Sequence, residues 1–77
     1  MVVAENRDLA RLVRSLREKL GLSQEKLAAR MGVTFSSVNR WENGHSKPSP
    51  LAMQKLEELV VDLGPDGKQL HDQFFKP

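Results

Sequence analysis

At 77 residues the chain can bury one modest core, and with no cysteine it has no disulfide, thiolate metal ligand or thiol nucleophile to rely on. Its net charge of +2 is mild but uneven: residues 1–50 hold nine Lys and Arg against five Asp and Glu, whereas residues 51–77 hold three against five. A deep catalytic cleft, a disulfide scaffold and a membrane span are poor fits, since the longest apolar runs are Met1-Val2-Val3-Ala4 and Leu59-Val60-Val61; a soluble, cytoplasmic single domain over 1–77, basic in its first part, is expected.

In chain order, Leu9, Leu12, Val13, Leu16 and Leu20 recur at helical spacing with Arg7, Arg11, Arg14 and Arg17 between them. This predicts a first helix over about 8–20, stopped by Gly21. Ser23 can cap a second helix whose apolar face is Leu27, Ala28 and Met31 and whose terminator is Gly32. Only Val33 then precedes Thr34, another N-cap, which opens a third helix through Phe35, Val38 and Trp41 to Asn43-Gly44. His45-Ser46-Lys47-Pro48-Ser49-Pro50 reads as a loop ending in an N-cap and a proline suited to the first helical position. A fourth helix follows, with Leu56, Leu59, Val60 and Leu63 on one stripe before Gly64-Pro65. Asp66-Gly67 reads as a turn, and Leu70 and Phe74 can share the face of a short fifth helix over about 67–75. With no alternating strand pattern, the fold is all-α, a compact bundle of four to five short helices.

The segment Leu22 to Lys47 contains Ser23-Gln24, Leu27-Ala28, Met31-Gly32-Val33, Val38 and Arg40-Trp41-Glu42-Asn43-Gly44, followed by Lys47-Pro48. In these features it resembles the DNA-binding core of the phage repressor and Cro family of helix-turn-helix proteins. The resemblance covers roughly residues 8–63, with the motif at about 23–44 formed by the second and third helices. It implies a lambda repressor-like fold and double-stranded DNA as partner, bound sequence-specifically by a repressor-like transcription regulator that is nucleoid-associated when on DNA.

If the second helix and third helix meet across the tight Gly32-Val33 turn, the first turn of the third helix projects outward and is narrow enough for a major groove. Val38 and Trp41 take its buried stripe, which leaves Phe35, Ser36, Asn39 and Arg40 as base-reading candidates. Arg40 can donate bidentately to guanine or hold a phosphate; Asn39 can read adenine or reach only backbone. Ser36 can exchange one hydrogen bond or merely occupy the first turn. Phe35 departs from the family, which often places a polar residue, commonly glutamine, at this position. Its ring can pack on a thymine methyl, turn inward as core, or belong to a protein-binding surface. The resemblance assigns phosphate contacts to Gln24, Asn43 and Lys47, whose plain readings are a first-turn, a helix-ending and a loop residue. It also implies an Arg17–Glu42 bridge from the first helix to the end of the third, whose plain reading is two separate solvated charges; Trp41, on the buried stripe, reads as a structural aromatic.

An enzyme fits poorly, because His45 and His71 lie in separate segments and no phosphate-cradling loop or nucleophile-base set is present; no cofactor, metal or small-molecule ligand is expected. The competing reading is a protein-interaction module on the same fold, such as an antitoxin-like or regulator-binding adaptor, for which Phe35 and Phe74-Phe75 supply apolar area. Leu70, Phe74 and Phe75 suit either a homodimer contact through the C-terminal segment or a cover for the core.

Overall fold

The computed structural model describes residues 6–75, so the apolar run at residues 1–4 lies outside the described residues. Helix α1 spans Asn6–Leu20, α2 Gln24–Met31, α3 Phe35–Glu42, α4 Pro50–Asp62 and α5 Lys68–Phe74, with a 3-10 turn at Gly64–Gly67 between the last two. Among the described residues there is no strand, and the architecture is the all-α bundle that the periodicity predicts. Helix α1 begins two residues before the expected start, where Asn6 and Arg7 add polar positions ahead of the first apolar one.

The helices form where apolar spacing and caps agree. Leu9, Leu12, Val13 and Leu16 are the buried face of α1. Ser23, Thr34 and Ser49 cap α2, α3 and α4, each side-chain oxygen accepting from the backbone N–H three residues on. Pro50 occupies the first turn of α4, where its missing N–H costs nothing.

The core joins the α1 face to Leu27, Ala28 and Met31 of α2, Val38 and Trp41 of α3, Ala52, Leu56 and Val60 of α4, and Leu70 of α5. Leu12, Leu16, Leu27, Met31 and Leu56 are fully buried, each stabilising the fold by about 1.5–3 kcal/mol relative to exposure. Helix α3 packs on both α1 and α2, while α4 touches α1 and α2 and carries α5 on its far end. The C-terminal apolar residues serve this core: Leu70 is buried, and Phe74 and Phe75 pack against it half-buried.

The connection from α4 to α5 differs from a simple turn at Asp66-Gly67. Gly64–Gly67 winds as a 3-10 helix with Pro65 in its first turn. Gly67 is buried, and a Cβ there would collide with the Val60 carbonyl oxygen and stand 2.9 Å from Leu63 Cβ. The absence of a side chain lets α5 fold back against α4.

Candidate nucleic-acid interface

The turn that presents α3 is set by Gly32. At φ 72° it closes α2, its N–H reaching the Ala28 and Ala29 carbonyls, and the Val33 N–H bonds to Ala28 O at 3.0 Å. Thr34 is then extended (φ −79°, ψ 154°) and caps α3 through the Ser37 N–H at 3.2 Å, so one residue separates the two capped ends. Val38, Trp41 and Glu42 are the buried residues of α3. Phe35, Ser36 and Arg40 are exposed on its outer side, with Ser36 and Arg40 four apart and therefore on one face. Phe35 stands 47% exposed, which removes the inward, core-filling alternative for its ring.

Beneath this face lies a buried carboxylate. Glu42, only 5% exposed, accepts from Arg17 Nε at 2.7 Å and Arg17 Nη2 at 3.0 Å, a bidentate pair from α1 to the end of α3. The same Oε1 accepts from Gln24 Nε2 at 3.1 Å, and Arg14 Nε approaches it to 3.6 Å. Burial is the largest influence on the Glu42 carboxyl and opposes its ionisation. The hydrogen bonds from Arg17 and Gln24 and the charges of Arg17 and Arg14 together outweigh it, holding the group below its ordinary value. The hydrogen bond to Glu42 raises Arg17 correspondingly, against desolvation. Arg17 Nη1 also donates to the Leu22 carbonyl at 3.1 Å, tying the α1–α2 connection to the same hub. Trp41 is buried in the core, away from any stacking surface.

From Glu42 a chain of side-chain amides runs outward. Gln24 Oε1 accepts from Asn39 Nδ2 at 3.1 Å, and Asn39 Oδ1 accepts from Asn43 Nδ2 at 3.1 Å. Gln24 and Asn43, expected as two separate phosphate ligands, are thus connected through Asn39. Asn39, a base-reading candidate by periodicity, is half-buried with both ends of its amide engaged, unlike the exposed Arg40. It lies on the side of α3 that faces the start of α2, one turn before Asn43. Lys47 and His45 are exposed in the loop beyond α3.

The sequence reading passed over two contributors. Arg14 was only one of the polar residues between the leucines of α1, and Asn6, whose Nδ2 donates to the Gly44 carbonyl at 3.3 Å, lay before the expected helix. The spacing of Arg7, Arg11 and Arg14 along α1 was the available signal. Of the histidines, His71 pairs with Glu57 at 3.1 Å on the opposite, α4–α5 side. Among the described residues no group of three His, Asp or Glu is placed to hold a metal ion, and no helix is long and apolar enough to cross a membrane.

Comparison with known proteins bears on this arrangement. A family model described as Helix-turn-helix matches residues 13–59, from the middle of α1 to near the end of α4. The chain is 31% identical over 48 residues to an "Uncharacterized HTH-type transcriptional regulator" of Sinorhizobium medicae, a match covering 62% of this chain and 34% of the relative. A relative of the same description from Rhizobium meliloti gives the same figures. Another, from Methanothermobacter thermautotrophicus, is 40% identical over 49 residues, covering 64% of this chain and 71% of the relative. The matched part spans about a third of the length of the two rhizobial relatives. No solved structure matches the chain.

Proposed function

Because the chain belongs to the repressor/Cro-type helix-turn-helix family, we propose that it binds double-stranded DNA sequence-specifically by inserting the first half of α3 into the major groove. That family consists of DNA-binding transcription regulators, not enzymes. The observation that carries the reading is the outer face of α3: Phe35, Ser36 and Arg40 project from a helix whose opposite side is anchored in the core and bridged to α1 by Arg17–Glu42.

The basic residues of 1–50 attract the duplex, and Gln24, Asn43 and Lys47 clamp backbone phosphates on either side of the reading helix. Arg40 reads guanine O6 and N7 bidentately, a contact worth about 1–3 kcal/mol of discrimination. Ser36 adds one hydrogen bond, and Phe35 packs on a thymine methyl, the apolar contact its exposed ring can make. Asn39 acts through its neighbours: it holds the Gln24 and Asn43 amides in position, which aligns the clamps with α3 before DNA arrives. The consequence is repressor-like control of transcription at the bound site.

A homodimer through the C-terminal segment completes the proposal. With Leu70 committed to the core, the contact falls to the half-buried edges of Phe74 and Phe75, and the operator is an approximate palindrome with half-site centres about 10–10.5 bp apart. Sedimentation of the free protein and of its complex with one half-site tests this: a monomer in both overturns it. DNA reading itself is tested by selecting binders from a random duplex library at near-physiological salt. Enrichment of a consensus is expected. Recovery of nothing above salt-sensitive background would move the function to protein interaction through Phe35.

A further inference from the structure

Beside the amide chain lies an open cleft of about 590 Å³, walled by Arg7, Arg11 and Arg14 of α1 on one side and by Glu42, Asn43 and Gly44 at the end of α3 on the other. The three arginines stand at i, i+4 and i+7, one row along α1. Among the described residues that line the cleft, Glu42 is the one carboxylate, and its oxygens are already engaged by Arg17. The Glu42 side chain is 1% exposed and already carries the bidentate Arg17, whereas Arg14 stands 3.6 Å away with its side chain 56% exposed. Arg11, with 66% of its side chain exposed, has Asp8 at 4.0 Å, the outer limit of an ion pair and too loose and wet to hold the guanidinium. The cleft is therefore an electropositive slot that shares Asn43 with the proposed phosphate clamp.

We propose that Arg11 and Arg14 hold a further backbone phosphate of the bound duplex in this cleft, extending the phosphate track from Asn43 onto α1. The inference rests on the DNA reading above and adds residues that reading does not use. A phosphodiester offers only acceptor oxygens and one negative charge, which suits two guanidinium groups aimed into one slot. Because the contact is to backbone, it adds affinity and carries no base preference. It also places a DNA strand against the Arg14 side of the Glu42 hub, so that the strand touching α1 and the helix reading the groove are fixed by one buried carboxylate.

The test is the salt dependence of binding, measured by fluorescence anisotropy with the selected duplex and with a random one between 50 and 200 mM salt. The proteins compared are wild type, Arg11→Gln/Arg14→Gln, and Arg30→Gln, which changes an exposed arginine at the far end of α2. Each phosphate neutralised contributes about 0.9 to the slope of log affinity against log salt. The double variant is expected to lose about 0.9 of that slope, equally on both duplexes, so its affinity falls about threefold less than that of wild type over the fourfold rise in salt. Arg30→Gln removes a charge from the long-range attraction but no phosphate contact, so it is expected to lose much less than about 0.9 of the slope. Should Arg14→Gln lower the melting temperature through its proximity to Glu42, Arg11→Gln alone must still flatten the slope. A wild-type protein that binds tightly beside variants of unchanged slope overturns the α1 phosphate site and leaves the DNA reading intact. A wild-type protein that binds neither duplex overturns both.

Discussion

Replacing Glu42 by glutamine keeps the side chain's size but removes the charge that Arg17 answers, leaving a mostly buried guanidinium without its partner. The loss should be about 3 kcal/mol, the low end of the range for a broken buried pair, because the Arg17 side chain keeps 20% of its surface in solvent. Urea denaturation at neutral pH measures it. The pH dependence follows from the depressed carboxyl. The Glu42 contribution is complete above the ordinary glutamate value of about 4.3 and is lost as pH falls through the lower value of the folded chain. Stability of the wild type should therefore fall more steeply below that pH than stability of Glu42→Gln, and equal acid slopes would show that Arg17 does not hold the carboxylate. Asn39→Ala separates a positioning role from a reading role. A positioning residue that aligns Gln24 and Asn43 should weaken binding to all duplexes by a similar factor, and a change confined to one base position would contradict that role.

At the level of elements, the caps and the one tight connection carry separable energies. Thr34→Ala removes the oxygen that accepts the Ser37 N–H and should cost about 1 kcal/mol, visible in a denaturation midpoint. Gly67→Ala should cost about 1–3 kcal/mol, because the added methyl must push α5 away from the Val60 carbonyl and Leu63. The two positions also show what a sequence can disclose. Thr34 was legible as a cap because the side chain and the N–H it satisfies lie three residues apart in one segment. So were Ser23, Gly32, Ser49 and the buried stripes of α1 and α3, and with them the outward set Phe35, Ser36 and Arg40. Gly67 read only as half of a turn, since its close neighbour Val60 is brought back by tertiary packing. The half-buried setting of Asn39 is hidden for the same reason: one helix's periodicity places it outward, whereas its partner Gln24 stands on another helix, 15 residues earlier.

Over the whole molecule, the charge asymmetry of the sequence becomes a division of labour. The arginines of α1 and the α3 face belong to the basic residues 1–50, while Glu57, Glu58, Asp62, Asp66 and Asp72 lie on α4, α5 and the turn between them. A polyanion approaching the acidic end meets repulsion, so on the DNA-binding reading the orientation of the domain is set before close contact. Whether the C-terminal apolar residues cover the core or meet a second copy was not legible from composition. The packing of Leu70 beneath the chain's own surface, with Phe74 and Phe75 half-buried beside it, shows the core use, and the sedimentation experiment decides the other.

If the exposed face of α3 reads bases, Arg40 is its sharpest point. The measurement is the affinity of wild type and Arg40→Ala for the selected duplex and for a panel in which each base pair is changed in turn, at one fixed salt concentration. Arg40→Ala should abolish about 1–3 kcal/mol of discrimination at one guanine position in each half-site and leave the other positions' preferences standing. A uniform loss of affinity across the panel, with every base preference retained, would contradict base reading by Arg40 and reduce it to one more phosphate contact.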